Sequence, residues 1–372
     1  MRITFLLPPV SLSGGNKVIV IYAQALMRRG HTVTLVSPPP KKIPLRQKLR
    51  AWTRDRSWVG DTTHRRSYLD GSGLDHRLLD RWRPIADGDV PDADIVIATW
   101  WETAEWVNAL SSSKGAKVYF IQGHETFPYL PIVRCRATYR LPLHKIVVSA
   151  WLKEIMRSEY GDDNVDHVPN SVDKDQFYSP ARVKQRIPTV GFLYSGVSIK
   201  GLDVILAALK LLRRELPQLR LISFGAIEPI PELPLVEKTE YRQSPKPDEI
   251  RQLYCSCDLW LTASRTEGFN LTAMEAMACR TPVVSTRTGW PAESIKSGWN
   301  GFLVEIDDID GIARCAELIL SQNAEDWQRM SSNAYATVAE SSWTASTAMF
   351  ERALEHACQR AKIGEIGGNC DC

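Results

Sequence analysis

At 372 residues the chain is longer than one hydrophobic core usually supports, which predicts two substantial domains. With 44% hydrophobic and 24% charged residues it falls in the ordinary globular range, which excludes extensive disorder, and no apolar run reaches the roughly eighteen residues that a bilayer span requires. The net charge of +3 conceals an asymmetry: residues 1–186 carry 28 Lys and Arg against 19 Asp and Glu, net +9, while residues 187–372 carry 18 against 24, net −6.

The N-terminus runs directly into a predicted strand, Ile3 to Leu7, with no cleavable signal, so a cytoplasmic location is expected and the eight scattered cysteines are expected to remain thiols. The loop after that strand ends in Gly14-Gly15 ahead of a helix whose Val18, Ile19, Tyr22 and Leu26 share one face. Two adjacent glycines there let a diphosphate approach bare backbone amides. Beyond the strand Thr32 to Ser37, the stretch Lys41 to Arg56 interleaves cations with leucines and a tryptophan. It reads either as a segment lying on an anionic membrane surface or as a solvated insertion, and no nucleic-acid motif accompanies it.

Further strands are predicted at Asp94 to Thr99, Lys117 to Gln122 and Lys145 to Ser149. Trp100, Trp101 and Glu102 follow the first of these. His124 and Glu125 close the second, at the carboxyl edge where open α/β sheets place ligands. Pro169 to Pro188 carries turn signals without a clear period and marks a domain boundary. The second half alternates strands (Thr189 to Tyr194, Arg220 to Phe224, Leu259 to Ala263, Pro282 to Ser285, Gly301 to Val304) with helical patterns, which predicts α/β domains with parallel sheets.

The most informative stretch is Ser264 to Ala278. Glu267 sits in the loop between a buried strand and a helix patterned by Leu271, Met274, Met277 and Ala278, and Glu275 lies within that helix. Eight residues at 1.5 Å each separate the two carboxylates by roughly 12 Å, about the distance from the sugar ring of a nucleotide sugar to its ribose. Between them, the N–H groups of Phe269, Asn270, Leu271 and Thr272 lack partners within the helix and suit a diphosphate. Plainer readings exist: Glu275 pairing with a neighbouring Arg, Glu267 favouring the helix N-terminus, and Lys200 and His124 being solvated or structural. Cys255-x-Cys257 and Cys370-x-Cys372 have the wrong spacing for zinc, so no metal is expected.

Glu267-Gly-Phe-x-Leu-x-x-x-Glu275-Ala-Met-Ala, followed by Arg280-Thr-Pro-Val-Val and Gly298-x-x-Gly-Phe-Leu-Val304, resembles the E-x7-E signature of retaining GT-B glycosyltransferases of the family-4 type. His167-Val-Pro-Asn-Ser-Val-Asp173-x-x-x-Phe177 and the Lys200-Gly201 pair extend the resemblance over most of residues 165–305. It implies two Rossmann-like parallel-sheet domains facing across a cleft. The expected division is an acceptor-side domain at 1–178, a nucleotide-sugar domain at 179–342, a helix at 343–362 crossing back, and a flexible tail at 363–372.

The resemblance also implies transfer of a sugar, with retention, from a nucleoside diphosphate to a glycan or lipid-linked acceptor, in cell-wall or surface-polysaccharide synthesis and without metal or other cofactor. In that reading Glu267 orients the donor sugar, Glu275 holds the ribose, and Lys200 with Gly14, Gly15 and the Phe269 to Thr272 amides stabilises the leaving diphosphate. His124 contacts the sugar. One departure stands out: the family commonly places an Arg five or six residues before the Lys, where this chain has Tyr194 and Ser195, so Arg265 or Lys17 is a candidate substitute. A non-catalytic nucleotide-sugar-binding partner and a GT-B epimerase remain alternatives.

Overall fold

The computed structural model describes residues 1–41 and 67–370, so the basic stretch beyond Lys41 lies outside the described residues. The chain divides into two compact units. One comprises Met1–Val147, Met156–Val168 and Thr347–Cys372, and the other Val148–Ile155 and Pro169–Ser346.

In the first unit, strands β1 (Arg2–Leu6), β2 (Thr32–Ser37), β3 (Asp75–Leu78), β4 (Ile95–Ala98), β5 (Ala116–Ile121), β6 (His144–Val147) and β7 (Val165–His167) form one sheet. The order is β3-β2-β1-β4-β5-β6-β7, and each neighbouring pair is parallel. The second unit builds a parallel sheet from β8 (Thr189–Tyr194), β9 (Arg220–Gly225), β10 (Thr239–Gln243), β11 (Leu259–Thr262), β12 (Val283–Thr286) and β13 (Gly301–Val304), ordered β10-β9-β8-β11-β12-β13. Central strands such as Ile-Val-Ile-Ala in β4 and Leu-Trp-Leu-Thr in β11 are buried along their whole length, as expected of parallel sheets covered on both faces by crossover helices.

Both sheets reverse their direction of growth once, between β1 and β4 and between β8 and β11. At such a point the loops leaving the two adjacent strands splay apart at the carboxyl edge and leave room for a ligand. The loops after β8 and β11 carry Lys200 and Glu267, and the loop after β1 leads into the helix Gly14–Arg28, which opens on Gly14-Gly15.

Residues 364–370 are hydrogen-bonded to the first unit: Gly367 N–H donates to Pro142 O at 3.1 Å, Lys117 N–H donates to Gly367 O at 3.0 Å, and Asn369 N–H donates to Ser112 O at 3.2 Å. One expectation is corrected here: the cysteines are not all thiols, because this folded-back tail brings Cys370 beside Cys358 in a disulfide, with Cα atoms 5.3 Å apart. Cys135, Cys255, Cys257, Cys279 and Cys315 are free.

Candidate functional site

In the second unit the chain leaves β8 through a short turn, Ser198–Lys200, and enters the helix Leu202–Glu215 at Gly201. Gly201 is left-handed (φ +63°), and a Cβ there would lie 1.9 Å from Ala263 O, so only glycine lets the β8 loop press against the end of β11. Arg265 N–H donates to Ile199 O at 2.8 Å and ties the two loops together. Lys200 is thereby delivered to Glu267: its Nζ donates to Glu267 Oε1 at 2.6 Å, and Ser264 Oγ donates to the same oxygen at 2.8 Å. The carboxylate is 11% exposed and the ammonium 34%, so the pair is sheltered but reachable.

Glu275 is buried on the helix Leu271–Ala278, and Tyr254 Oη donates to its Oε2 at 3.0 Å. Burial, and next the charge of Glu275, push the Tyr254 phenol well above its ordinary pKa, so it stays a donor. The loop between Glu267 and Glu275 is braced by Asn270, which takes a left-handed conformation (φ +80°) and accepts the Ala273 N–H as the helix cap. Its Nδ2 also donates to Thr262 Oγ1 at 2.9 Å, and Thr272 Oγ1 donates to its Oδ1 at 2.9 Å. Phe269 is buried and stacks on Trp290 with ring centroids 5.7 Å apart, while its carbonyl accepts Trp290 N–H at 2.9 Å.

Three participants escaped the sequence reading. Ser264 shares Oε1 of Glu267 with Lys200, and its carbonyl is held by Thr286 Oγ1 at 2.6 Å. Gly289 (φ +56°) opens the helix Gly289–Ser294 so close to the loop that a Cβ would lie 3.0 Å from Glu267 Cβ. Tyr254, on the helix Pro247–Cys255, completes the set. A glycine following the strand over Pro282 to Ser285 was the one available sequence signal. Arg265 ion-pairs with Asp203 at 2.7 Å and Asp307 at 2.8 Å.

In the first unit Ser13 caps the helix Gly14–Arg28, accepting Asn16 N–H at 3.3 Å. A Cβ on Gly15 would lie 3.5 Å from Gln122 Nε2, so the glycine pair and the Gln122-Gly-His-Glu turn share one sheet edge. His124 is buried between Tyr139 and Tyr160, its Nε2 2.7 Å from Tyr160 Oη, and burial lowers its pKa. Glu125 is more deeply enclosed: Trp101 N–H donates to it at 2.7 Å and Tyr119 Oη at 3.1 Å, and burial pushes its pKa up to about 8. Trp101 is buried, with Arg134 above its ring at 4.9 Å, which makes it a packing residue; Trp100 is half-buried. Two places are therefore built, one at each sheet's reversal point: a lysine–glutamate–tyrosine set in the second unit and a glycine–histidine edge in the first.

Comparison with known proteins gives these geometries a family. Residues 12–176 match the family "Glycosyltransferase Family 4" and residues 175–337 match "Glycosyl transferases group 1". The GDP-mannose-dependent alpha-(1-6)-phosphatidylinositol monomannoside mannosyltransferase of Mycolicibacterium smegmatis is 28% identical over 218 residues, 51% of this chain and 57% of that protein. The D-inositol 3-phosphate glycosyltransferase of Corynebacterium jeikeium is 30% identical over 197 residues, 48% of this chain and 46% of that one. The matches thus span about half the length of these curated relatives. Among solved structures, Anabaena HepE in complex with UDP and glucose superposes with a TM-score of 0.72 at 16% identity, covering 96% of this chain and 100% of that one. Sucrose-phosphate synthase from Thermosynechococcus elongatus gives 0.71 at 16% identity, over 96% and 98%. At these identities the solved structures share the fold. Two parallel α/β sheets and two adjoining family matches place this chain among the GT-B glycosyltransferases of the family-4 type.

Proposed function

We propose that the chain is a retaining, metal-independent glycosyltransferase that moves a sugar from a nucleoside diphosphate to a hydroxyl of a glycan or lipid-linked acceptor. The observation that carries this reading is the convergence of Lys200 and Ser264 on Glu267 while Tyr254 holds Glu275 on the following helix. Both contacts to Glu267 fall on Oε1, so Oε2 is the atom offered to the donor sugar's hydroxyls. Glu275, held by the Tyr254 phenol, is the carboxylate offered to the ribose. The bond from anomeric carbon to diphosphate oxygen breaks, the acceptor hydroxyl oxygen bonds to that carbon from the same face, and the hydroxyl proton passes to the departing diphosphate. Lys200, together with the N–H groups at the start of Leu271–Ala278, stabilises the negative charge that gathers on the departing diphosphate. In the first unit, Gly14 and Gly15 offer backbone amides, and His124 its ring, for contacts to a nucleotide sugar. No cofactor takes part.

The relatives narrow the candidates. One is named for GDP-mannose and a phosphatidylinositol mannoside, another for inositol 3-phosphate, and the superposable HepE holds UDP and glucose. A lipid-linked acceptor fits the basic first half of the chain, which would favour the anionic inner face of a membrane, and cell-wall or surface-polysaccharide synthesis as the setting. Among the described residues no helix is long and apolar enough to cross a membrane. The test is release of nucleoside diphosphate by the purified chain from a panel of UDP, GDP and dTDP sugars, with the anomeric configuration of the product read by NMR. Glu275→Ala is expected to weaken donor binding, and unchanged affinity would refute the ribose role.

A further inference from the structure

Away from the donor-binding residues, the first unit gathers three metal-ligating side chains that no local sequence spacing announces. His144 comes from β6, Asp166 from β7, and His356 from the helix Trp343–Lys362. One donor atom from each lies within 4.8 Å of the other two. Asp166 Oδ2 is at the centre, 3.0 Å from His144 Nε2 and 2.9 Å from His356 Nδ1. His144 is fully buried, while His356 and Asp166 are partly exposed and line an open cavity of about 190 Å³ with Val168, Met349 and Arg352.

We infer that His144, Asp166 and His356 form a site for a first-row divalent cation such as Zn²⁺, which fastens the last helix to the β6–β7 edge of the sheet. Two imidazoles and a carboxylate are a ligand set such ions accept, with a fourth position left for water. Ligand atoms about 2.0–2.1 Å from a tetrahedral ion lie roughly 3.3 Å from one another, so the two spacings to Asp166 Oδ2 need to open by only a few tenths of an ångström, while the two imidazole nitrogens, within 4.8 Å of each other, settle to the same separation. The cavity beside Asp166 and His356 supplies both the entry path and the fourth, solvent ligand.

One neighbour opposes the ion and makes the proposal sharper. Arg360 Nη1 lies 3.2 Å from His144 Nδ1, where a ligating imidazole needs an acceptor for its remaining N–H. Arg360 has other partners to retreat to, Glu365 at 2.9 Å and Asn164 O at 3.2 Å. Replacing it by glutamine would supply the missing acceptor and tighten binding.

The experiment uses the full chain stripped with EDTA and then given ZnCl₂ or CoCl₂ alone. Expected are a rise in melting temperature with Zn²⁺ and visible d–d absorption with Co²⁺, both saturating at one ion per chain. His356→Ala, at a partly exposed position that leaves the fold intact by circular dichroism, should lose more than the roughly 10–100-fold in affinity that removing an outer-shell partner costs. Arg360→Gln should bind more tightly than the parent. Absence of Co²⁺ bands in the parent overturns the site, as does saturable binding unchanged by His356→Ala. Because the readout is binding rather than transfer, failure here leaves the proposed transfer chemistry untouched.

Discussion

Lys200 and Glu267, sixty-seven residues apart, meet at 2.6 Å because Gly201 lets the β8 loop rest on the end of β11. The pair joins the group proposed to neutralise the leaving diphosphate to the group proposed to orient the sugar. Lys200→Ala therefore removes a transition-state contact and a brace at once. A fall of about 10²–10³ in kcat is expected, in line with the loss of one preorganised donor. Initial rates of nucleoside diphosphate release measure it, and an unchanged kcat would remove Lys200 from the chemistry.

In the proposed site Tyr254 acts through Glu275, to which its hydroxyl donates. Tyr254→Phe leaves the buried carboxylate without that donor, which costs about 1–3 kcal/mol. Calorimetric titration should show weaker donor binding, with KM rising more than kcat falls. The opposite split would mean that the phenol matters in the transition state.

Gly201 is the hinge of the same arrangement. Alanine there combines a left-handed backbone with a Cβ 1.9 Å from Ala263 O. Strain of this kind costs of order 1–3 kcal/mol before the loop shifts. Gly201→Ala should lower the midpoint of urea unfolding and depress transfer further than the stability loss accounts for, because Lys200 moves with the loop. A neutral substitution would show that the β8 loop is not held as described.

Glu125 gives the chain a pH signature. Its pKa in the folded protein, about 8, lies above the ordinary 4.5 because burial disfavours the charged form. Its contribution to stability is thus fully present below pH 4.5 and is lost as the pH rises through 8. Glu125→Gln, which cannot ionise, should flatten the decline in unfolding midpoint between pH 4.5 and 8. Parallel pH profiles for parent and variant would assign that decline to other groups.

Much of this was legible in the residues themselves. Thr32–Ser37, Thr189–Tyr194 and Gly301–Val304 form the strands their apolar runs announce, because strands buried on both faces leave an almost uninterrupted hydrophobic signal. Asp75-His-Arg-Leu78 and Thr239-Glu-Tyr-Arg-Gln243 were missed for the opposite reason: they lie at sheet edges, are largely exposed, and show neither alternation nor an apolar run. Val165–His167 is only three residues long. The two glutamates could be read from their spacing within one strand–loop–helix unit. Ser264, Tyr254 and Gly289 could not be assigned roles, since what brings them to Glu267 and Glu275 is the adjacency of separate strands and helices. His144, Asp166 and His356 were hidden in the same way, being spread over more than two hundred positions.

Gly367 gives its N–H to Pro142 and receives that of Lys117, so the final stretch serves the first unit much as a latch serves a lid. Shortening the chain at Lys362 would strip three main-chain groups, Ser112 O, Lys117 N–H and Pro142 O, of these partners and leave Cys358 without its own. Anyone preparing this protein should append a purification handle beyond the tail rather than substitute one for it.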